Sequence, residues 1–189
     1  MTTLTAVHEA GHAVASYVLG FTHAGAVTVR GHGTVGGLCV AGDAPDVASR
    51  IVADFAGHAA VEVLDVWADA DDAVVEGAPE LEALPADEAR DVAVFLLAGV
   101  TQSQGVDGGF MRDDQHAWRL GCETWPRDAM ARVPALERRA RELVATYAHA
   151  VHALAAQLAT HGALARDQWH AVLADVGLTH GEARTTAAP

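Results

Sequence analysis

Residues 7 to 20 read "VHEAGHAVASYVLG". His8 and His12 stand four positions apart with Glu9 between them, in a run otherwise made mostly of alanine, valine and glycine. Positions four apart on an α-helix project from the same face. Leu4, His8, Gly11, His12, Ala15 and Leu19 share one side, and Val7, Val14 and Val18 lie beside it. The spacing therefore predicts a helix from Thr5 to Leu19 that stops at Gly20. Such a helix is built for burial, where an uncompensated pair of imidazoles and a carboxylate is costly. A metal ion removes that cost. His8 and His12 can each offer a ring nitrogen to one ion, while Glu9, beside that line, reaches a metal-bound water instead. This is the H-E-x-x-H pattern of two zinc ligands and a general base. Gly11 inside the motif costs the helix about 1 kcal/mol relative to alanine, so its presence predicts another backbone passing close by.

Working outward, "AVTVRGHGTVGGLCV" alternates at Val27 and Val29, turns through glycines and resumes at Val35 to Val40. It reads as a hairpin or two short strands. Pro45 and Asp46 open a second helix that runs to about Trp67. Asp69 to Glu88 is acidic, carries Pro79 and Pro85, and reads as a loop or lid-like excursion. A third helix follows in "DEARDVAVFLLAGV", then a loop in "TQSQGVDGG". Asp113 or Asp114 is expected to cap a fourth helix that ends before Pro126. From Pro134 the apolar spacing predicts one long helix broken at Gly162. A short helix follows in "ARDQWHAVLADVG", and the last residues read as a loose tail.

The bulk properties set limits. The chain has 189 residues, 51% of them hydrophobic and 20% charged, a globular composition. Its formal net charge of -13 repels nucleic acid and anionic membrane surfaces. Neither nucleic acid nor membrane is therefore expected as a partner. Two cysteines, Cys39 and Cys122, are too few for a disulfide scaffold and fit reduced thiols in the cytoplasm. No signal-peptide pattern or membrane span is read; Asp91 to Val100 is apolar but too short.

"HEAGH", the apolar helix behind it, the "VTV" strand and the glycine-rich turn together resemble the peptidase domain of the FtsH-type ATP-dependent zinc proteases. "LCVAGDAPDVASRIVADFAGHAAVE" is similar to that family's strand, loop and helix. "RDDQHAW" is similar to its segment with an aspartate ligand, and the stretch from "ERRARELVATYAHAV" to "WHAVL" to its closing helices. No G-x-x-x-x-G-K-[ST] loop occurs in the sequence, and no transmembrane anchor is read. The resemblance thus implies a stand-alone relative without the motor or anchor.

The expected fold is α+β and mostly helical: a zincin-like active-site helix, a small β-sheet or hairpin, and a C-terminal helical bundle. A single peptidase-like domain is expected over 1–189. Within it, 1–125 forms the zinc-site core with the acidic insertion near 68–88, 126–178 the closing helices, and 179–189 the tail.

A catalytic zinc takes a third protein ligand. The resemblance implies an aspartate at the start of a later helix with an alanine four residues on, and Asp113 with Ala117 fits. Periodicity leaves Asp114 open, because both positions share a face with apolar residues. Glu62 on the second helix is the rival. His32 and His116 are the further histidines placed to touch substrate, whereas His149 and His152 read as solvated. Cys39 reads as a small buried residue that can approach the metal.

The activity expected is a zinc-dependent peptidase with one Zn2+ per chain. Its metal ligands are His8, His12 and Asp113, and its base is Glu9. Peptide or unfolded protein is the substrate, and a separate delivery partner is allowed for. The alternative is a non-proteolytic metal-binding module that keeps the fold. Purified protein should hold about one zinc per chain by atomic absorption, and the double variant His8→Ala/His12→Ala should hold none. Full zinc occupancy in that variant would refute the assignment.

Overall fold

The structure, a computed structural model, describes residues 4–29, 37–66, 84–102 and 109–183. The glycine-rich turn with His32, most of the acidic insertion, Trp67, residues 103–108 and the last six residues lie outside them. Among the described residues, seven helices and three short strands follow in the order α1 (Leu4–Val18), β1 (Val27–Thr28), β2 (Leu38–Cys39), α2 (Val47–Val63), α3 (Ala86–Gln102), α4 (Gly109–Thr124), α5 (Ala129–Thr146), α6 (Ala148–His161), β3 (Ala163–Leu164) and α7 (Arg166–Asp175). The protein is therefore mostly helical with one small sheet, as its sequence predicts.

α1 is the centre. It is buried from Ala6 to Gly11 and again from Ala13 to Val18. A helix apolar on nearly every side has to be enclosed, and α2, α5, α6, β1 and β2 all pack against this one. α1 stops in a Schellman turn: Gly20 has φ 77, Phe21 N–H donates to the Ser16 carbonyl at 3.0 Å, and Gly20 N–H donates to that of Tyr17 at 3.1 Å.

α2 opens at Asp46, whose carboxylate accepts the Ser49 backbone N–H at 2.7 Å. It crosses α1 at very short range. A Cβ on Gly11 would lie 2.5 Å from the Ala56 carbonyl oxygen and 2.7 Å from the Ala60 Cβ. The backbone expected near Gly11 is therefore that of α2. One apolar cluster joins α1, α2, α4, α5, α6 and α7. A smaller one gathers Ala26, Leu84, Val92, Ala163 and Ala165 between the sheet and α3.

The sheet is antiparallel, in the order β2-β1-β3. Val27 faces Cys39 on one side and Leu164 on the other. β3 is too short to show alternation, so sequence periodicity does not reveal it. Gly162, with φ 76, ends α6 and turns the chain into β3.

Three expectations need correction. α4 begins at Gly109, so Asp113 and Asp114 lie inside it and cap nothing. Their carboxylates project sideways toward neighbouring helices instead of back onto the helix's own N–H groups. The long helix expected from Pro134 is two helices. α5 starts at Ala129 and carries Pro134 inside it, where the missing N–H leaves the Met130 carbonyl without its helical hydrogen bond. Tyr147, at φ -105 and ψ 23, ends α5 and starts α6. The apolar spacing continues across that turn and hides it. Residues 179–183, expected as tail, are docked on the end of α1: Gly181 N–H donates to the Tyr17 carbonyl and His180 Nε2 to that of Phe21, both at 2.9 Å. Among the described residues, no helix is long and apolar enough to cross a membrane.

The α1–α2 crossing is testable. A Cβ at position 11 meets backbone that cannot rotate away, which costs about 1–3 kcal/mol against a helix-propensity gain of about 1 kcal/mol. Gly11→Ala should therefore lower the urea midpoint; a raised midpoint would show that the helices part freely.

Candidate metal centre

α1 presents His8 and His12 on the side that faces α2 and α4. α4 brings Asp113 to them. His8 Nε2 and His12 Nε2 are 3.0 Å apart, and Asp113 Oδ2 is 3.2 Å from each. Among the described residues this is the one group of three whose ligand atoms converge as a metal site requires. Around a tetrahedral ion with bonds of about 2.0–2.1 Å, ligand atoms stand about 3.3 Å apart. The three atoms thus already have close to the spacing that such an ion imposes.

The surroundings fit a metal as well. His12 Nδ1 donates to the Ala53 carbonyl on α2 at 2.7 Å. That bond orients the ring and directs Nε2 at the cluster. The space for the rings exists because position 57 is glycine: a Cβ on Gly57 would collide with His12 Nε2 and lie 2.6 Å from His8 Cε1. Glu9 is buried beside the cluster without joining it. The chain entering β2 approaches it so closely that a Cβ on Gly37 would lie 2.7 Å from Glu9 Oε1.

Burial dominates the electrostatics. It pushes the Glu9 carboxyl up to about 8, partly opposed by the charge of His12. It pulls His8 down to about 4, helped by the charge of His12. Burial acts the same way on His12, but the Asp113 carboxylate and its hydrogen bond outweigh it and carry His12 up to about 9. Burial also resists ionisation of Asp113, yet the charge and hydrogen bonds of His12, then His8, hold it well below the usual carboxylate range. The carboxylate of Asp113 thus favours a proton on the imidazole pair. A divalent cation has to displace it, so metal binding weakens as pH falls.

The other candidates go elsewhere. Asp114 Oδ2 faces His58 Nδ1 at 3.5 Å. Glu62 accepts from Arg141 Nε at 2.8 Å, and Arg141 also reaches Glu137 at 2.6 Å. Both Asp114 and Glu62 line a separate groove with Phe55, Ala59 and Glu137. His116, expected to touch substrate, has its Nδ1 2.8 Å from Asp54 Oδ2. Cys39 lies on β2, its thiol pushed well up by burial and then by the charge of Glu9, and it does not join the three ligand atoms. His149 and His152 are both exposed on α6, away from the cluster. Sequence reasoning missed Asp54, Gly57 and the Ala53 carbonyl. The one legible signal was an aspartate and a glycine set into the apolar run "IVADFAGHAA".

No family model matches the chain, and no curated protein matches it at a significant level.

The geometry separates the two adjacent aspartates. Asp113→Ala should remove most zinc affinity in a chelator-competition titration, whereas Asp114→Ala should cost no more than about tenfold, as for a group behind the ligands. The reverse ranking would transfer the ligand role to Asp114.

Proposed function

We propose that this chain is a zinc-dependent endopeptidase with a zincin-like active-site helix, related to the FtsH-type peptidase domains its motifs resemble. One observation carries the reading: His8, His12 and Asp113 converge while Glu9 is buried beside them and stays out of the cluster. Two imidazole nitrogens and one carboxylate oxygen suit zinc, and three protein ligands are the mark of a catalytic rather than a structural site. When bound, the ion supplies a water that ionises near neutral pH and polarises the carbonyl under attack.

The chain's own residues do the rest. The Glu9 carboxylate accepts a proton and passes it to the leaving amine. Burial makes Glu9 a stronger base than an exposed glutamate, while a nearby divalent cation favours its ionised form. His12 keeps its ring fixed through Ala53. β2 stands at one edge of the sheet, next to Glu9, and its outer side suits an extended peptide that pairs through backbone hydrogen bonds. Such pairing reads main chain more than side chains, which fits peptide or unfolded protein as substrate. A separate protein that delivers the substrate is the partner this reading implies. Two free cysteines support a cytoplasmic location.

The test is Glu9→Gln. The variant should keep its zinc and its melting temperature, since Glu9 is no ligand. It should lose about a hundred- to ten-thousand-fold in turnover, because an amide cannot accept the proton. Cleavage of an unfolded protein substrate, measured beside metal content, reads both. Equal cleavage by wild type and variant would exclude Glu9 as the base, and no cleavage by either would favour a non-proteolytic metal-binding module.

A further inference from the structure

Asp113 can meet the two histidines only if α4 has the right rotation and depth against α2. Two histidine–aspartate pairs of opposite sense tie these helices together. His116 on α4 donates from Nδ1 to Asp54 Oδ2 on α2 at 2.8 Å, and Asp114 on α4 faces His58 on α2 at 3.5 Å. Asp54 and His58 are one helical turn apart, with Gly57 between them, and His116 is about one turn beyond Asp113. Asp54 also follows Ala53, whose carbonyl holds His12. The Asp54 side chain is only 14% exposed, so water competes little for its hydrogen bond. One turn of α2 thus orients one candidate ligand and grips the helix that carries another.

We infer that Asp54 and His116 are positioning residues of the metal centre, their hydrogen bond holding α4 so that Asp113 Oδ2 meets His8 and His12. This rests on the metal reading given under Proposed function. The required accuracy shows why such a tie matters. A carboxylate tip lies about 5 Å from its helix axis, so a rotation of about 20° moves it by about 2 Å, whereas metal–ligand distances tolerate about 0.2 Å. Neighbouring α4 contacts are less directional. Ala117 is buried but small, and Gly121 lets α4 approach Val133 on α5 without fixing a polar partner.

The experiment compares zinc affinity of the full chain, by competition with a chromogenic chelator, and checks the fold of each metal-free protein by circular dichroism. His116→Leu, which removes the bond, should bind zinc about 10- to 100-fold more weakly, as expected for a group behind the ligands. His116→Asn can still donate to Asp54 and should stay close to wild type. Should His116→Leu fail to fold, Asp54→Ala against Asp54→Asn gives the same contrast from α2. Wild-type affinity in a folded His116→Leu, or equal losses in the leucine and asparagine variants, would overturn the positioning role alone. Absence of zinc binding by wild type would overturn the metal reading and this inference with it.

Discussion

Two helix backbones touch where α1 crosses α2, and the rest of the centre depends on that contact. Gly11 lets the Ala56 carbonyl approach, and Gly57 leaves room for the imidazoles of His8 and His12. Each glycine costs its helix about 1 kcal/mol relative to alanine. In return the histidine rings lie against the α2 backbone, where the Ala53 carbonyl can hold one of them. A wider crossing, of the kind that ordinary side chains enforce, would leave the rings without that support.

The same closeness creates an electrostatic problem. His8 and Glu9 are buried on a helix whose other neighbours are apolar. Removing them from water opposes charge on each, and only mutual arrangement offsets it. His12 and Asp113 favour each other's charged form, while burial opposes charge on His8 and Glu9. This is a poor solution for stability alone, since replacing buried ionic groups with apolar ones is often neutral or stabilising. A bound cation would change the balance, adding its binding free energy to that of folding. The cluster therefore makes physical sense as a binding site more than as part of a core.

Around this centre the remaining elements restrain α1 from several directions. β1 and β2 lie along it, α5 and α6 pack on it, and the segment at 179–183 holds its end. The sheet is small, but the chain entering it sets Gly37 against Glu9. Trp169 on α7 reinforces the sheet side, donating from Nε1 to the Gly25 carbonyl at 2.9 Å.

Much of this was legible in residue order, because local spacing is a property of the chain itself. The H-E-x-x-H helix, its stop at Gly20, the Asp46 start of α2 and the close approach at Gly11 all follow from helical periodicity and from what glycine and aspartate do locally. What lay beyond reach were relations between distant segments. Asp113 and Asp114 occupy equally apolar stripes of one helix, and only the packing of α4 on α2 turns one toward the histidines and the other toward His58. β3 exists because β1 is there to pair with it. Asp54 and His116 are 62 positions apart and carry no shared pattern. The sequence by itself determined which groups can bind a metal. The tertiary structure decided which of them meet, because convergence within a few ångströms depends on how whole helices rotate and pack.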